Sequence, residues 1–141
     1  MNIPDKFYRV SAKALVFDEH KKILLLKEAG GKGWELPGGG IEYGEAPYQT
    51  IIREVKEECG FTVGAISDNP SIVWSVKRKS SKDGSIYWCM FIGYKTTLSS
   101  MNFTPSSECE EYRFVSLDEM QSLHLHTNIQ DLPKLLGPIS K

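Results

Sequence analysis

Residues 39–61 read GGIEYGEAPYQTIIREVKEECGF, and this stretch carries more structural information than any other part of the chain. Pro47 is typical of the first turn of a helix, where its missing N–H is harmless, and Gly60 is typical of a helix end. The stretch between them therefore predicts one helix. Its apolar side chains fall within about 60° of a helical wheel, which predicts a face that packs on a sheet. Those side chains are Tyr48, Ile52, Val55 and Cys59.

Three carboxylates crowd the last turns of this helix. Glu54, Glu57 and Glu58 fall within about 100° on a different arc of the wheel. The C-terminus of a helix carries partial negative charge, so acidic side chains there are disfavoured unless something compensates them. A bound hard cation such as Mg²⁺ or Mn²⁺ would do so. On spacing alone, however, a solvated acidic face is the preferred interpretation, because Glu is a good helix former and charged runs usually face solvent.

Length and composition define the class of protein. The 141 residues suffice for one domain, and 40% hydrophobic with 25% charged residues is typical of a soluble globular chain. A net charge of -1 disfavours binding to duplex nucleic acid. No apolar run is long enough for a membrane helix, and the N-terminus lacks the apolar stretch of a signal peptide. Three cysteines without a CxxC pair predict reduced thiols in the cytoplasm, and Cys109 is interpreted as an ordinary unpaired thiol.

The remainder of the chain alternates strands and helices, which predicts an α/β fold with a mixed sheet and helices on its faces. Expected strands span residues 8–17, 23–27, 34–36, 61–66, 71–79, 85–96 and 111–115. The first two should form a hairpin across residues 18–22, and Asp83-Gly84 predicts another between residues 79 and 85. Ser116 is expected to cap a helix, and Pro133 to kink or start a last helix over residues 128–136. Trp74 and Trp88 are expected in the core.

The long-range spacing in residues 39–61 resembles the Nudix box, Gly-x5-Glu-x7-Arg-Glu-U-x-Glu-Glu-x-Gly-U, in which U is a bulky apolar residue. Every position is filled: the seven fixed residues are Gly39, Glu45, Arg53, Glu54, Glu57, Glu58 and Gly60, and the two bulky apolar positions hold Val55 and Phe61. Seven fixed residues at a background of roughly 6% each give a chance match near 10⁻⁹ per start position. The lead-in at residues 34–39 and the segment 110–119 are also similar to the family.

The resemblance implies an α/β/α sandwich in a single domain over residues 1–141. It also implies hydrolysis of a pyrophosphate bond in a nucleoside di- or triphosphate or a nucleoside diphosphate derivative. Mg²⁺ or Mn²⁺ would be held by Glu54, Glu57 and Glu58, with the carbonyl of Gly38 as a further ligand. The base that deprotonates water would be Glu54 or a carboxylate from a distant loop. Glu108 is the candidate there, and Glu111 is the second choice.

The resemblance assigns supporting roles to other residues of the box. Gly39 and Gly60 would supply special backbone geometry, while Glu45 and Arg53 would fix the loop against the helix. Cations that could contact substrate phosphates are Arg9, Lys27, Lys32 and Arg78. Trp34 could stack on a base or belong to the core.

Two other functions remain open at this point. One is a Nudix-type nucleotide-binding or sensor domain, and the other is a hydrolase of non-nucleotide diphosphates. Marks of ADP-ribose, diadenosine polyphosphate and coenzyme A enzymes are missing from their usual positions, so a small nucleoside triphosphate or nucleotide-sugar substrate is the default. The expected partner is a small-molecule nucleotide or diphosphate, with no duplex nucleic acid and no membrane, on a monomer or homodimer.

Overall fold

The computed structural model describes residues 7–139. The first six residues, on which part of the signal-peptide expectation rests, and the last two residues of the expected domain lie outside that range. Eight strands and three α-helices follow one another along the described chain. They are β1 Tyr8–Leu15, β2 Ile23–Glu28, β3 Gly33–Glu35, β4 Gly38–Gly40, α1 Pro47–Cys59, β5 Thr62–Ile66, β6 Ile72–Lys79, β7 Ile86–Ser100, β8 Cys109–Val115, α2 Leu117–Met120 and α3 Leu132–Leu136.

The strands form two sheets, and the larger one is mixed as predicted. Its order is β4-β1-β7-β5, and β6 also pairs with β7. The β1–β7 pair is parallel, whereas β4 runs antiparallel to β1. Strand β7 is long enough to serve two antiparallel partners, since β6 pairs with its first half and β5 with its second. The β6–β7 connection confirms the hairpin predicted at Asp83-Gly84.

A second, antiparallel sheet has the order β3-β2-β8, and it corrects the predicted hairpin between the first two strands. The chain does reverse at residues 18–22, where Phe17 and Ile23 form an isolated antiparallel bridge. Beyond that bridge β1 enters the mixed sheet and β2 enters the small one. The turn signal located the reversal, but the choice of strand partners depends on side chains far away in sequence.

Helix α1 packs against β1, β4 and β5, and it begins and ends where the sequence predicted. The side-chain amide oxygen of Gln49 accepts the Ala46 N–H at 2.8 Å, and Gly60 adopts a left-handed φ of 80° after the last turn. The predicted apolar face was half wrong. Tyr48 and Ile52 are 54% and 47% exposed. The face that the helix buries consists of Thr50, Ile51, Val55, Glu58 and Cys59.

Two hydrophobic clusters lie on opposite faces of the mixed sheet. One joins α1 to Ala12 and Ala14 of β1. The other contains Trp74 and Phe91, whose rings stack at 5.2 Å, and it is closed by the C-terminal segment. The core assignment of Trp74 is therefore confirmed, whereas that of Trp88 was wrong because this side chain is 41% exposed.

The C-terminal helices follow their local signals. The side-chain oxygen of Ser116 accepts the Glu119 N–H at 3.1 Å and caps α2 as predicted. The last helix begins at Leu132 rather than at residue 128, so Pro133 lies in its first turn. Of the helices in residues 7–139, none combines the length and apolar character that crossing a bilayer requires.

Candidate metal site and its surroundings

The turn that leads into the box is held against the end of α1. Gly38 pairs with Lys13 across the β1–β4 ladder and has a φ of 127°. A Cβ at this position would lie 2.2 Å from the carbonyl oxygen of Ala12, so only glycine fits. The Gly38 N–H donates to Oε1 of Glu58 at 2.9 Å. This hydrogen bond brings the Gly38 backbone next to the carboxylates of the helix.

Three carboxylates converge beside this turn. One side-chain oxygen of each of Glu54, Glu58 and Glu108 lies within 4.8 Å of the others. Such a set of oxygen donors suits a hard divalent cation. The structure thus places Glu108, the candidate from the distant loop, beside two of the three helix glutamates.

Hydrogen bonds that the sequence did not reveal explain how Glu108 reaches the helix. The hydroxyl of Ser106 donates to the backbone carbonyl of Glu58 at 2.8 Å and accepts the Glu108 N–H at 3.2 Å. The Thr104 N–H donates to the Cys59 carbonyl at 2.9 Å. These bonds use carbonyls that the last helical turn leaves free, so they fasten the loop to the helix end.

Glu58 is the most deeply buried of the three converging carboxylates. Its side chain is 8% exposed, and burial raises the pKa of Glu58 to about 8, although the nearby Lys13 ammonium and the Gly38 N–H favour its charged form. Without a cation this carboxyl therefore keeps its proton near neutral pH. Replacing that proton by a metal ion would satisfy the site, which supports the fit of a cation.

Arg53 and Glu45, to which the resemblance assigns a supporting role, are joined by two hydrogen bonds. Arg53 Nε and Nη2 each donate to one oxygen of Glu45 at 2.9 Å, and Nη1 donates to Glu54 at 2.7 Å. Nη2 also lies 3.3 Å from the Gly40 carbonyl. The hydrogen bonds from Arg53 and Thr50 lower the pKa of Glu45 to about 2, so this carboxylate stays charged. The guanidinium thereby links the loop to Glu54.

The two box glycines serve different purposes. Gly60 has the expected left-handed backbone, but Gly39 does not have a positive φ, so its predicted backbone role was wrong. Gly39 is needed for space, because a Cβ there would lie 2.7 Å from the carboxyl carbon of Glu54. The unusual backbone belongs to its neighbour Gly38 instead.

Two of the predicted carboxylates lie outside the converging group. Glu57 is 58% exposed and lies 3.6 Å from Nη1 of Arg53. Glu111, the second choice for the base, lies 3.6 Å from Lys27 on the small sheet. Lys27 is therefore occupied by carboxylates of β8 rather than free for a phosphate.

The predicted substrate-side residues differ in accessibility. Arg9 is exposed, and its guanidinium lies 6.0 Å from the centre of the Tyr87 ring. Arg78 is half-buried and donates to the side-chain oxygen of Asn128. Trp34 is 6% exposed, with Arg113 over its ring at 4.8 Å, so its burial favours the core interpretation.

A buried polar network adjoins the site and gave no signal in the sequence. Glu35 is 2% exposed and accepts hydrogen bonds from Leu36 N and Asn128 Nδ2 at 2.8 and 2.9 Å. Lys13 lies 3.7 Å from Glu35 and 3.4 Å from the carbonyl oxygen of Gly38. His126, whose pKa is lowered by burial, lies 3.5 Å from Glu35. Lys13 thus stands between this network and the candidate metal site.

Known proteins resemble this chain in sequence and in fold. The RNA pyrophosphohydrolase of Vibrio cholerae serotype O1 is 36% identical over 55 residues, which are 39% of this chain and 32% of that protein. The chain thus matches about one third of the length of this curated relative. A solved ADP-ribose pyrophosphatase from Streptococcus suis 89-1591 is 26% identical, with a TM-score of 0.68 over 96% of this chain and 93% of that one.

The fold and the family agree over nearly the whole chain. The MutT protein from Methanosarcina mazei Go1 superposes with a TM-score of 0.71 at 24% identity, covering 99% of both chains. That likeness shows the shared α/β/α sandwich. The family described as NUDIX domain matches residues 7–135, well over half of the sequence. This chain, with its complete box on α1 and the preceding loop, therefore belongs to the Nudix family.

Proposed function

We propose that this protein is a divalent-metal-dependent pyrophosphohydrolase acting on a nucleoside di- or triphosphate or on a nucleoside diphosphate derivative. The observation that carries the proposal is the convergence of Glu54, Glu58 and Glu108 within 4.8 Å beside the Gly38 turn. Family membership and the activities named for the relatives, an RNA pyrophosphohydrolase and an ADP-ribose pyrophosphatase, support the same reaction class.

The donor set fits Mg²⁺ or Mn²⁺, because it consists of hard oxygen atoms only. Glu54 and Glu58 would hold the ion, together with the Gly38 carbonyl. Glu57 is included as a ligand because it shares the last helical turn with Glu58, although it faces Arg53 without a cation. A bound cation supplies charge neutralisation for the phosphates and a lower pKa for a coordinated water.

The side chains of the chain itself provide orientation and a proton acceptor. Nη1 of Arg53 donates to one oxygen of Glu54 at 2.7 Å, and this hydrogen bond orients the carboxylate toward the loop. Glu108 is exposed and is anchored through its backbone, so its carboxylate is free to take the proton of the attacking water. The water oxygen then bonds to phosphorus while the bridging P–O bond breaks and a phosphate leaves. Glu54 remains the alternative proton acceptor.

Substrate contacts are proposed for Arg9 and Arg78, which project from the same face of the mixed sheet. Arg9 is available to a phosphate without rearrangement. To contact a phosphate, Arg78 would have to give up its hydrogen bond to Asn128, or else act through Asn128. The three cysteines are buried and unbridged, and we propose a reducing, cytoplasmic location on that ground.

A substrate screen with Mg²⁺ and Mn²⁺, in which both the products and their rates of formation are measured, tests the proposal. Glu54→Gln, Glu58→Gln and Glu108→Gln should each lower kcat/KM by at least about 10²-fold, the order expected for a lost charged ligand or base. Glu19→Gln is the matched control, because Glu19 is 85% exposed in the distant turn after β1. If nucleotides bind without metal and none of them is hydrolysed, the protein would instead be a sensor domain. Turnover restricted to non-nucleotide diphosphates would overturn the substrate class.

A further inference from the structure

Helix α1 leaves one side uncovered, away from the candidate metal site. Tyr48 and Ile52 are both exposed there, and the exposed Lys56 continues the same line at four-residue spacing. On a helical wheel the centre of this line lies about 140° from that of Glu54 and Glu58, so the two sets of side chains point in different directions. Single apolar side chains on a surface are ordinary, but a row of them beside a groove is typical of a contact with another protein.

The exposed side of α1 borders a groove against β5. This groove has a volume of about 330 Å³, and its lining includes Tyr48, Ile52, Val63, Ile66 and Asp68. The exposed line on the helix is about 12 Å long, and the five residues of β5 span about 16 Å. The helix side and the strand therefore match in length and form one continuous surface.

Strand β5 lies at the edge of the mixed sheet, and its outer side carries no charge. Among the strands of residues 7–139 it pairs with β7 only. Residues 62–66 read TVGAI and contain neither a charged residue nor a proline, which are common protections of an edge against a further strand. Strand β6 also pairs with β7 only, but it carries Lys77, Arg78 and Lys79. The outer edge of β5 is therefore the better template for another strand.

The two ends of this surface carry opposite charges. Where β5 begins, Nζ of Lys56 lies 3.4 Å from the hydroxyl oxygen of Thr62. At the other end, Asp68 follows β5 by two residues and lines the groove together with Tyr48. Within residues 7–139, neither Lys56 nor Asp68 takes part in an ion pair. A twofold rotation exchanges the two ends, so it places each charge opposite its counterpart in a second copy.

We propose that β5 and the exposed side of α1 form the interface of a homodimer with twofold symmetry. The two β5 strands pair antiparallel about Gly64, the middle residue of the strand, and Ile52 packs against Ile52 of the partner subunit. Lys56 lies opposite Asp68 of the partner subunit at both ends. A second copy of the chain is the occupant because the surface is complementary to itself, and only the antiparallel arrangement brings its opposite charges together.

The size of the surface sets the expected affinity. A strand of five residues and two helical turns make a contact at the low end of specific interfaces, where complexes are weak. We therefore expect a dissociation constant in the micromolar range. The proposal does not depend on turnover, because the carboxylates of the candidate metal site lie on a different side of α1.

Sedimentation velocity of the full chain, from micromolar to millimolar concentrations, tests the interface. The wild type should pass from monomer to dimer over this range. Ile52→Glu places two like charges at the twofold axis and should raise Kd at least about tenfold. Val73→Glu is the matched control, because Val73 is an exposed apolar residue on β6, outside the surface, and its Kd should equal that of the wild type. A wild type that stays monomeric, or an equal effect of the two variants, would overturn the inference.

Charge reversal tests the antiparallel arrangement itself. Lys56→Glu and Asp68→Lys each create two like-charge contacts per dimer and should each raise Kd about tenfold. The double variant exchanges the charges of the two ends, so its Kd should return to that of the wild type. Far-UV circular dichroism checks that all variants are folded, as expected for substitutions of exposed side chains. A double variant that dimerises as weakly as the single variants would refute the pairing of Lys56 with Asp68 of the partner subunit, and with it the proposed interface.

Discussion

Gly39 faces the carboxylate of Glu54 so closely that a Cβ at position 39 would lie 2.7 Å from its carboxyl carbon and 2.8 Å from Oε1. The same carboxylate is held from the other side by Arg53 at 2.7 Å. The Glu54 carboxylate therefore lies between the Arg53 guanidinium and the backbone of Gly39, which has no side chain. The glycine of the box leaves room at this position for the Glu54 carboxylate, and its own φ is not positive.

Gly39→Ala should consequently impair activity far more than stability. The end of a Glu side chain can move at small cost, and removing a glycine restricts the unfolded chain, which offsets part of that cost. Displacing Glu54 by about 1 Å should lower kcat/KM by about 10²-fold. We expect the melting temperature, measured by differential scanning fluorimetry, to change by no more than about 4 °C.

Gly40→Ala is the matched control, because a Cβ at Gly40 would meet nothing within 4 Å. Its kcat/KM and melting temperature should stay close to those of the wild type. Full activity in Gly39→Ala would show that the position of Glu54 does not matter for turnover.

Arg53→Lys should separate charge from geometry. Lysine keeps the positive charge but cannot bind both oxygens of Glu45 while it also holds Glu54. We expect kcat to fall at least tenfold, with a smaller change in KM, because Glu54 is no longer oriented. Arg113→Lys serves as the control, since Arg113 is half-exposed on β8 and lies outside the carboxylate cluster. Equal kinetics in the two variants would contradict the orienting role.

Glu58 predicts a specific dependence of stability on pH in the absence of metal. The folded-state pKa of about 8 lies above the ordinary value of 4.5, so between these values the folded state binds more protons than the unfolded state. Stability should therefore fall as pH rises through this window. His126 acts in the opposite direction, because its lowered pKa makes the folded state less stable below about pH 6.5.

The comparison with Glu58→Gln isolates the contribution of Glu58. In EDTA, the melting temperature should fall more steeply between pH 5 and pH 9 for the wild type than for this variant. With millimolar Mg²⁺ or Mn²⁺, the metal-induced rise in melting temperature should grow with pH in the wild type, because the ion displaces a proton. Glu57→Gln should retain the metal-free trend. Parallel pH curves for the wild type and Glu58→Gln would refute the assignment.

Local signals decided which parts of the structure were predictable. Helix α1 and its caps follow from residues near one another in sequence, and the long-range spacing in residues 39–61 identified the family. The buried arc of α1 was misjudged because the sheet contacts Ile51 and Glu58 rather than Tyr48 and Ile52. A helical wheel describes which residues share a face, but it does not locate the partner surface. The core prediction for Trp88 was wrong for a related reason, since β7 extends beyond the part of the sheet that other elements cover.

Long-range polar contacts were beyond prediction. Ser106 contacts the Glu58 carbonyl across 48 residues, and Asn128 contacts Glu35 across 93. No spacing rule relates such residues, because their pairing depends on the packing of the two sheets and of the C-terminal segment. The converging position of Glu108 depends on the contacts of Ser106, whereas its candidacy came only from the resemblance.

The buried pair Lys13–Glu35 should be strongly coupled, although its charged atoms are 3.7 Å apart. Both side chains are almost fully buried, so removing one partner leaves an uncompensated charge in the interior. Lys13→Met and Glu35→Gln should each lower the free energy of unfolding by about 3–5 kcal/mol. The double variant should lose clearly less free energy of unfolding than the sum of the two single losses, and urea denaturation of all four proteins measures the coupling.

The exposed pair Lys22–Glu119 provides the matched cycle, with Lys22→Met and Glu119→Gln. Its atoms are closer, at 3.0 Å, yet its coupling should be much weaker than that of Lys13–Glu35 because both side chains remain in water. Equal coupling in the two cycles would show that burial does not govern the strength of the Lys13–Glu35 pair.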